Sequence, residues 1–295
     1  MRKQFVRTTE DLLARDPRLV LLLGDIGVFG FRNAFSLHPA RVYNIGICEQ
    51  AMTSVAAGLS REGLIPIVHS IAPFVVERSF EQLKVDLCYQ ELAANIVSVG
   101  ASYDYAGLGC SHHCPGDIAI LLSLPGMEIV VPGSPGEFDA LFRSAYGNSH
   151  PTYFRLSETS HSEKIDVQFG HAAVLRRGTQ GTVIAIGPNL PTVVEAIAGL
   201  DVTLLYYTTL APFDGATLAA NCQSGVVAVV EPFYENTMAG PIMAALGDRS
   251  LRFLSLGVPR HFLTHYGKAS EHDEKCGLTA PHLRSRLRIF LNGST

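Results

Sequence analysis

Short runs of Val, Ile and Leu alternate with segments of helical period along the first half of the chain. This alternation limits the fold more than any other feature of the sequence. The strand-like runs are residues 19–23, 42–47, 65–69, 94–99 and 128–131, and the clearest helices between them are residues 49–61 and 135–146. Strands separated by helices pair in parallel, and the helices then cover both faces of the sheet. The pattern therefore predicts an α/β chain with a doubly wound, mostly parallel sheet.

A polar segment interrupts this alternation near the middle of the chain. Residues 159–168 (TSHSEKIDVQ) lack apolar periodicity, as is typical of a domain boundary. A second alternation of strands and helices follows in residues 182–187, 191–199, 202–206 and 226–230. We therefore predict two doubly wound, mostly parallel-sheet domains, residues 1–160 and 161–295.

Charge and hydropathy narrow the class of protein. The chain has 23 Lys and Arg against 27 Asp and Glu and no run of like charge, so neither nucleic acid nor a membrane is indicated as a partner. Residues 1–19 form an amphipathic, charged pattern unlike a secretory signal. The apolar stretch 19–31 is interrupted by Asp25 and is shorter than the ~20 residues of a membrane helix. We expect a cytoplasmic protein whose irregularly spaced cysteines are reduced.

Three segments combine polar residues with the ends of strands and with a glycine-rich loop. They are residues 43–50 (YNIGICEQ), 68–82 (VHSIAPFVVERSFEQ) and 107–115 (GLGCSHHCP). In this order they resemble the pyrimidine-binding domain of transketolases and of their relatives, the deoxyxylulose-phosphate synthases and the β subunits of 2-oxoacid dehydrogenase complexes. The resemblance covers nearly the whole chain, including a transketolase-like C-terminal domain, and it implies that the cofactor is thiamine diphosphate.

Glu49 lies between the strand and the helix of the first segment. A glutamate at this place in the family hydrogen-bonds the aminopyrimidine of the cofactor, whose exocyclic nitrogen then removes the proton from the thiazolium C2. The resemblance therefore implies that Glu49 is both catalytic and cofactor-binding. Taken without the flanking pattern, Glu49 has a simpler interpretation, as a negative charge in the first turn of a helix, where it suits the helix dipole.

The second segment supplies an aromatic ring in the family, and the resemblance implies that this ring stacks on the pyrimidine. We assign this role to Phe74. An ungapped alignment would instead place the family's phenylalanine at Val75, and the alternative for Phe74 is an ordinary core aromatic.

The third segment ends in a pattern similar to the family's His-Gln-Pro. The resemblance implies that His113 lies near the cofactor's amino group and the substrate oxygens as a proton shuttle, and that His112 assists in binding substrate. The loop is shorter than the family's and lacks its Glu-Asp-Gly portion. A zinc site formed by Cys110, His112, His113 and Cys114 is the alternative. Ligands so close together in the chain do not easily surround a tetrahedral ion, so we assign no metal ligand to this chain.

Two further residues take roles from the resemblance. Asp25 matches the acidic residue that ends the family's first strand near the thiazolium, and its alternative is a polar loop residue. Arg155 matches the arginine that binds a substrate's terminal phosphate, and its guanidinium would bind a sulfonate equally well. The alternative for Arg155 is a surface ion pair.

The family also requires a second half, with a Gly-Asp-Gly segment and a later asparagine that hold the metal and the diphosphate. In this sequence the Gly-Asp candidates are Gly24-Asp25 and Gly247-Asp248, and neither is followed by suitable ligands. We therefore expect the chain to be inactive alone. Its expected partner is a separately encoded N-terminal transketolase subunit that holds the diphosphate and Mg²⁺ (or Ca²⁺), in an α2β2 assembly.

The leading hypothesis for function is transfer of a two-carbon ketol unit from a ketose, phosphorylated or otherwise anionic, to an aldose. The rival enzymes are a β subunit of the 2-oxoacid dehydrogenase type and a deoxyxylulose-phosphate-synthase-like enzyme. Outside enzymes, the alternatives are a regulatory relative and a nucleotide-binding module suggested by Gly24, Gly27 and Gly30. Those glycines do not have the spacing of the dinucleotide-binding fingerprint.

Overall fold

In the computed structural model, which describes residues 1–293, the chain forms two open β-sheets. The strands are β1 (Leu19–Leu23), β2 (Val42–Asn44), β3 (Ile65–Ile71), β4 (Ala94–Val99), β5 (Glu128–Val130), β6 (Pro151–Arg155), β7 (Ala173–Arg176), β8 (Thr182–Ile186), β9 (Thr203–Tyr207), β10 (Thr209–Ala211), β11 (Val226–Tyr234) and β12 (Arg252–Val258). Every strand-like run of the sequence overlaps one of these strands.

Parallel pairing dominates both sheets. The first has the order β10-β5-β6-β4-β3-β1-β2, with β1 to β6 parallel and β10 antiparallel to β5. The second has the order β12-β11-β8-β9-β7, in which β7 alone is antiparallel. The predicted α/β class with two mostly parallel sheets is confirmed.

Helices connect the strands as the alternation predicted. They are α1 (Arg2–Arg15), α2 (Arg32–Leu37), α3 (Glu49–Arg61), α4 (Phe80–Gln82), α5 (Asp117–Leu121), α6 (Pro135–Ala145), α7 (Leu190–Ala196), α8 (Gly215–Asn221), α9 (Ala239–Leu246), α10 (Ala269–Cys276) and α11 (Ala280–Leu291). The α3 helix has the bounds expected from its sequence, and α6 begins where Pro135 occupies the first helical turn and the Ser134 side chain accepts from the Glu137 amide.

The first sheet is covered on both faces. Successive residues of β1 point in opposite directions and therefore belong to two different cores. Val20 and Leu22 belong to a core that includes Met52 and Ala56 of α3. Leu19, Leu21 and Leu23 belong to the opposite core, which contains Phe5 and Leu12 of α1 together with Phe138 and Leu141 of α6. All five residues of β1 are buried, which explains why the strand is continuously apolar rather than alternating.

Two boundaries in the structure refine the sequence interpretation. The β2 strand ends at Asn44, before the predicted residue 47, because Gly46 adopts a positive φ of 81° and turns the chain towards α3. The β10 strand (Thr209–Ala211) comes from the second half of the chain but adds an edge to the first sheet. We propose residue 160 as the boundary between the domains, with β10 as a strand of the second domain that pairs with the sheet of the first.

Two expectations about the environment of the chain also concern the fold. Within residues 1–293, no helix has both the length and the apolar character needed to span a bilayer. All six cysteines are free thiols.

Candidate active site

The carboxyl ends of β1, β2 and β3 lie side by side, and ligands of open α/β sheets bind at this edge. Asp25 follows β1 closely, Glu49 begins α3 after the connection that leaves β2, and Ser70 lies at the end of β3. The sheet order therefore brings together residues that the sequence separates by long intervals.

Glu49 is a buried carboxylate at this edge, with only 1% of its surface exposed. The Ser70 hydroxyl donates to Glu49 Oε1 at 2.8 Å, and Arg78 Nη1 donates to Oε2 at 2.6 Å. The Gly24 backbone packs close by, since a methyl group built there would lie 3.4 Å from Glu49 Oε1. Each carboxylate oxygen thus has a partner, as a buried charge requires.

Phe74 lies beside this carboxylate because the chain forms a π-helical turn over Pro73–Glu77. Such a turn holds one more residue than an α-helical turn and occurs frequently at functional sites. Val75 is fully buried in the core, whereas Phe74 remains partly exposed and contacts Arg78 and His112.

Arg78 joins Glu49 to Phe74. Its guanidinium carbon lies 4.2 Å from the centre of the Phe74 ring while Nη1 is paired with Glu49. The His112 ring also meets Phe74, edge-on, with 5.3 Å between ring centres. We call Glu49, Phe74, Arg78 and His112 the carboxylate cluster.

The carboxylate cluster has the groups needed to hold a flat nitrogen heterocycle. The guanidinium is itself flat, and it is held by a carboxylate at its edge and an aromatic ring at its face. An aminopyrimidine needs the same two contacts, a carboxyl group for a ring nitrogen and an aromatic ring for its face. The residues present therefore fit the pyrimidine of thiamine diphosphate, provided that the Arg78 side chain leaves this position.

The two adjacent histidines of the third segment point in different directions. His112 ends a 3₁₀ turn (Cys110–His112) and faces Phe74, while His113 is extended (φ −79°, ψ 136°) and buried, with 7% of its surface exposed. The His113 ring packs edge-on against His272 of α10 with 5.3 Å between ring centres. The structure thus places His112 in the carboxylate cluster and His113 against the second half of the chain.

Arg155 is buried at the end of β6 rather than lying in a surface ion pair. Its Nε donates to Asp117 Oδ2 at 2.7 Å, and Nη2 donates to the Ser102 hydroxyl at 2.7 Å. The Tyr153 hydroxyl donates to the same Asp117 oxygen. Burial acts to lower the pKa of Arg155, but the charge and hydrogen bond of Asp117, together with Tyr153 and Asp104, outweigh it and the pKa is raised. The guanidinium is therefore a paired, permanently charged group.

Asp25 lies at the sheet edge and is exposed. Its φ of 64° is in the left-handed region that Asp tolerates better than most residues. The Asn44 side chain holds this turn, since its Oδ1 accepts from the Asp25 amide at 2.9 Å and its Nδ2 donates to Asp25 Oδ1 at 3.2 Å. The carboxylate is thus oriented by the end of β2.

Three residues of this region were not singled out from the sequence. Ser70 and Arg78 lie inside the second segment, and Arg78 follows Phe74 at the four-residue spacing that makes neighbours on a helix. That spacing was the available signal for Arg78. His272 has no local signal, because its contact with His113 depends on how the two halves pack.

No cluster of three or more His, Cys, Asp or Glu side chains within residues 1–293 is arranged to hold a metal ion. In particular, the Cys114 thiol donates to Glu77 Oε1 at 3.5 Å, and Cys110 is exposed. Burial raises the pKa of the Cys114 thiol, which keeps it protonated.

Comparison with known proteins agrees with this arrangement. Residues 1–162 match the family described as transketolase, pyrimidine binding domain. The mostly parallel sheet of this half of the chain agrees with that match. The chain belongs to the transketolase family.

Relatives extend the similarity to the second half of the chain. An uncharacterized 33.6 kDa protein in the fasciation locus of Rhodococcoides fascians is 40% identical over 97% of this chain and 93% of its own length. A 1-deoxy-D-xylulose-5-phosphate synthase of Alcanivorax borkumensis is 30% identical over 96% of this chain, which spans 45% of that synthase. The B subunit of the apulose-4-phosphate transketolase of Phocaeicola vulgatus is 27% identical over 90% of this chain and 89% of its own.

A solved structure matches the whole chain. The protein titled split gene transketolase, inactive beta4 tetramer superposes with a TM-score of 0.86 and 26% identity, over 100% of this chain and 98% of its own. The similarity covers both sheets.

Proposed function

We propose that this chain is one of the two kinds of subunit of a thiamine-diphosphate-dependent transketolase, which transfers a two-carbon ketol unit from an anionic ketose to an aldose. A separately encoded subunit would hold the diphosphate and Mg²⁺ and complete the site. The proposal includes an α2β2 assembly in the cytoplasm. A split-gene transketolase and the B subunit of an apulose-4-phosphate transketolase, each similar to this chain over most of its length, support the division into two subunits.

The observation that carries this proposal is the carboxylate cluster. Glu49 is buried at the carboxyl edge of the sheet and accepts a hydrogen bond from Ser70. The Arg78 guanidinium lies between Glu49 and the Phe74 ring. An acid that only complements the helix dipole can stay exposed in the first turn, whereas Glu49 is buried and paired with an arginine that stacks on an aromatic ring. The combination of these contacts at the position of the family's glutamate favours a binding site for a flat, nitrogen-containing ring.

When bound, thiamine diphosphate would supply a nucleophilic carbon that accepts and releases the ketol unit. Glu49 would hold a proton between its carboxyl oxygen and a ring nitrogen of the pyrimidine, while Ser70 keeps the carboxyl group in place. Phe74 would set the plane of the ring and exclude water from one face. His112, whose ring already contacts Phe74, would face the substrate oxygens, and Asp25 lies at the same sheet edge for the thiazolium side.

Arg155 and His112 are the proposed ligands for the anionic group of the sugar. Arg155 is buried and paired with Asp117, so a substrate oxyanion would have to replace that carboxylate or the Ser102 hydroxyl. His113 is the second proposed catalytic and cofactor-binding residue, and its ring is buried against His272.

The proposal is tested with the chain and its diphosphate-binding partner, thiamine diphosphate and Mg²⁺. With a ketose phosphate and an aldose phosphate, mass spectrometry should detect sugars that have gained and lost two carbons. Glu49→Gln should lower the turnover at least ~100-fold, because a carboxamide cannot exchange the proton. Glu62→Gln, an exposed change just beyond the same helix, is the control. Wild-type turnover in Glu49→Gln would contradict the proposal.

A second candidate function is supported by the deoxyxylulose-phosphate synthase that is 30% identical to this chain. Such an enzyme condenses a 2-oxoacid with an aldehyde and releases CO₂, and it would use Glu49 in the same way. The two functions are separated by replacing the ketose with pyruvate in the same assay. Release of CO₂ from pyruvate, together with no two-carbon transfer in the ketose assay, would favour the synthase.

A further inference from the structure

The loop that carries the two histidines, residues 102–116, rests on the second half of the chain. We call it the histidine loop. The Tyr234 amide donates to the Pro115 carbonyl at 2.9 Å, and the Tyr103 hydroxyl donates to Asp273 Oδ1 at 2.6 Å. A methyl group built on Gly109 would lie 2.6 Å from Tyr266 Cε1, so the Tyr266 ring lies directly against the loop backbone. The loop is therefore held at three places by residues outside the first sheet.

Between these contacts three histidine rings form a row. The His113 and His272 rings are 5.3 Å apart at an angle of 81°, and the His272 and His265 rings are 4.1 Å apart at 31°. Tyr103 packs on His272 with 5.1 Å between ring centres. His272 is fully buried.

The row contains buried ring nitrogens without hydrogen-bond partners. They are both nitrogens of His113, both of His272, and Nε2 of His265. Among the described residues no group of this kind is arranged for a metal ion. Burial lowers the pKa of His113 and lowers that of His272 to about 4, so these two rings are neutral near pH 7. His113 and His272 therefore act through the packing of neutral rings rather than through charge.

This packing decides which histidine faces the carboxylate cluster. The chain changes from the 3₁₀ turn that ends at His112 to extended backbone at His113, and the two rings lie against different elements. With the His113 ring fixed against His272, the His112 ring is directed to Phe74. His112 is otherwise held by the Gly109 carbonyl, which accepts from the His112 amide at 2.9 Å, and by the contact of its ring with the Ser111 hydroxyl.

We propose that His272 is a positioning residue of the candidate active site: by packing on His113, it holds the histidine loop so that His112 faces Phe74. The second domain thereby contributes to the site and not only to assembly. The contribution to catalysis rests on the proposed function, whereas the positioning of His112 is a property of the chain alone.

The first test measures the histidine rings by NMR in the full chain without partner or cofactor. The His112 signal, assigned with His112→Gln, should carry a ring-current shift that Phe74→Leu removes. His272→Ala should remove most of that shift, because the packing partner of His113 is lost. His272→Phe should keep it, since the ring is retained and the nitrogens are not needed. His261→Ala, an exposed histidine of the same domain, is the matched control.

The same spectra report the pKa of His113. The titratable groups that face it are His112 from its own loop and His265 and His272 from the second domain, while Glu271 and Lys275 act on His272 from α10. His272→Ala should raise the pKa of His113 towards the ordinary value of ~6.5, because the ring gains water. His272→Phe should leave it lowered.

The second test uses the assembled enzyme. His272→Ala should lower kcat/KM about 10-fold through kcat, because a small displacement of a reacting group is costly, and His272→Phe should restore most of the loss. If His272→Ala does not fold, Tyr266→Ala replaces it, since Tyr266 is 69% exposed and its loss spares the core. It should reduce the His112 ring-current shift in the same direction.

An unchanged His112 signal in both His272→Ala and Tyr266→Ala would overturn the proposal, and so would equal losses in His272→Ala and His272→Phe. Failure of the proposed function has a different signature. In that case the assembled enzyme would show no two-carbon transfer while the NMR response to His272→Ala persisted.

Discussion

The carboxylate cluster and the histidine row bury polar groups in opposite ways. Glu49 is buried with a partner for each carboxylate oxygen, one a hydroxyl and the other a cation. His113 and His272 are buried with no hydrogen-bond partner on either ring. The first arrangement keeps a charge inside the protein, and the second keeps neutral rings that serve as packing surfaces.

The difference indicates how each region would respond to a ligand. A paired charge binds a new ligand by exchanging partners, so the Arg78 hydrogen bond to Glu49 must break when another flat group binds there. Neutral packed rings have no charge to exchange, and they keep a fixed arrangement before any ligand binds. The histidine loop joins the two regions, with His112 in one and His113 in the other.

The largest loss of stability is expected from breaking the buried ion pair between Arg155 and Asp117. Asp117→Ala should lower the free energy of unfolding by ~3–5 kcal/mol, because the buried Arg155 would lose its counter-ion. Urea unfolding of the single chain measures it. Asp248→Ala, at an exposed position, should change the stability by less than ~0.5 kcal/mol. A loss below ~1 kcal/mol for Asp117→Ala would show that Arg155 is not held by this pair.

Buried neutral histidine rings should make the stability of the folded chain sensitive to acid. Burial lowers the pKa of His69, another buried ring, to about 4, below its ordinary value near 6.5. Between these values the unfolded chain binds more protons than the folded chain, so stability falls as the pH falls from ~6.5 to 4. Each such ring contributes a slope of up to ~1.4 kcal/mol per pH unit. His69→Gln should reduce the slope in urea unfolding measured across this range.

His150→Gln, at an exposed position, is the control for the pH experiment and should leave the slope unchanged. A slope that is equal in His69→Gln and in the wild type would mean that His69 titrates as it does in the unfolded chain. Burial would then not keep the His69 ring neutral in the folded chain.

A smaller effect is expected from removing the cation of the carboxylate cluster. Arg78→Ala should tighten binding of thiamine diphosphate to the assembled, substrate-free enzyme about 5-fold, because the cofactor no longer has to displace Arg78 from Glu49. An ion pair whose arginine side chain is 36% exposed contributes ~1 kcal/mol. Isothermal titration calorimetry measures the Kd. Arg78→Lys keeps the charge and should bind like the wild type. Weaker binding in Arg78→Ala would make Arg78 a ligand of the cofactor instead.

Local patterns predicted the elements that carry the site. The α3 helix begins at Glu49 and ends at Arg61 as its period and the following Gly63 indicated, and the runs 19–23 and 94–99 are strands with the predicted bounds. These features depend on nearby residues, since alternation and helix period act over a few turns. The placement of Glu49 at the sheet edge then follows from parallel pairing.

Local sequence patterns could not predict the contacts between distant parts of the chain. The Arg155–Asp117 pair joins α5 to β6, and Tyr103 reaches Asp273 across 170 positions. Whether Arg155 is buried or exposed depends on the second domain covering it, which no spacing in the sequence encodes. The opposite directions of His112 and His113 have the same origin, because His272 selects between them.

The central claim is that Glu49 exchanges a proton with the cofactor's pyrimidine. The most direct measurement is the rate of hydrogen–deuterium exchange at the thiazolium C2 in the assembled enzyme without substrate, in the wild type and in Glu49→Gln. Exchange at least ~100-fold slower in Glu49→Gln, with the cofactor still bound, is the predicted result. Equal exchange rates in the two proteins would contradict the account.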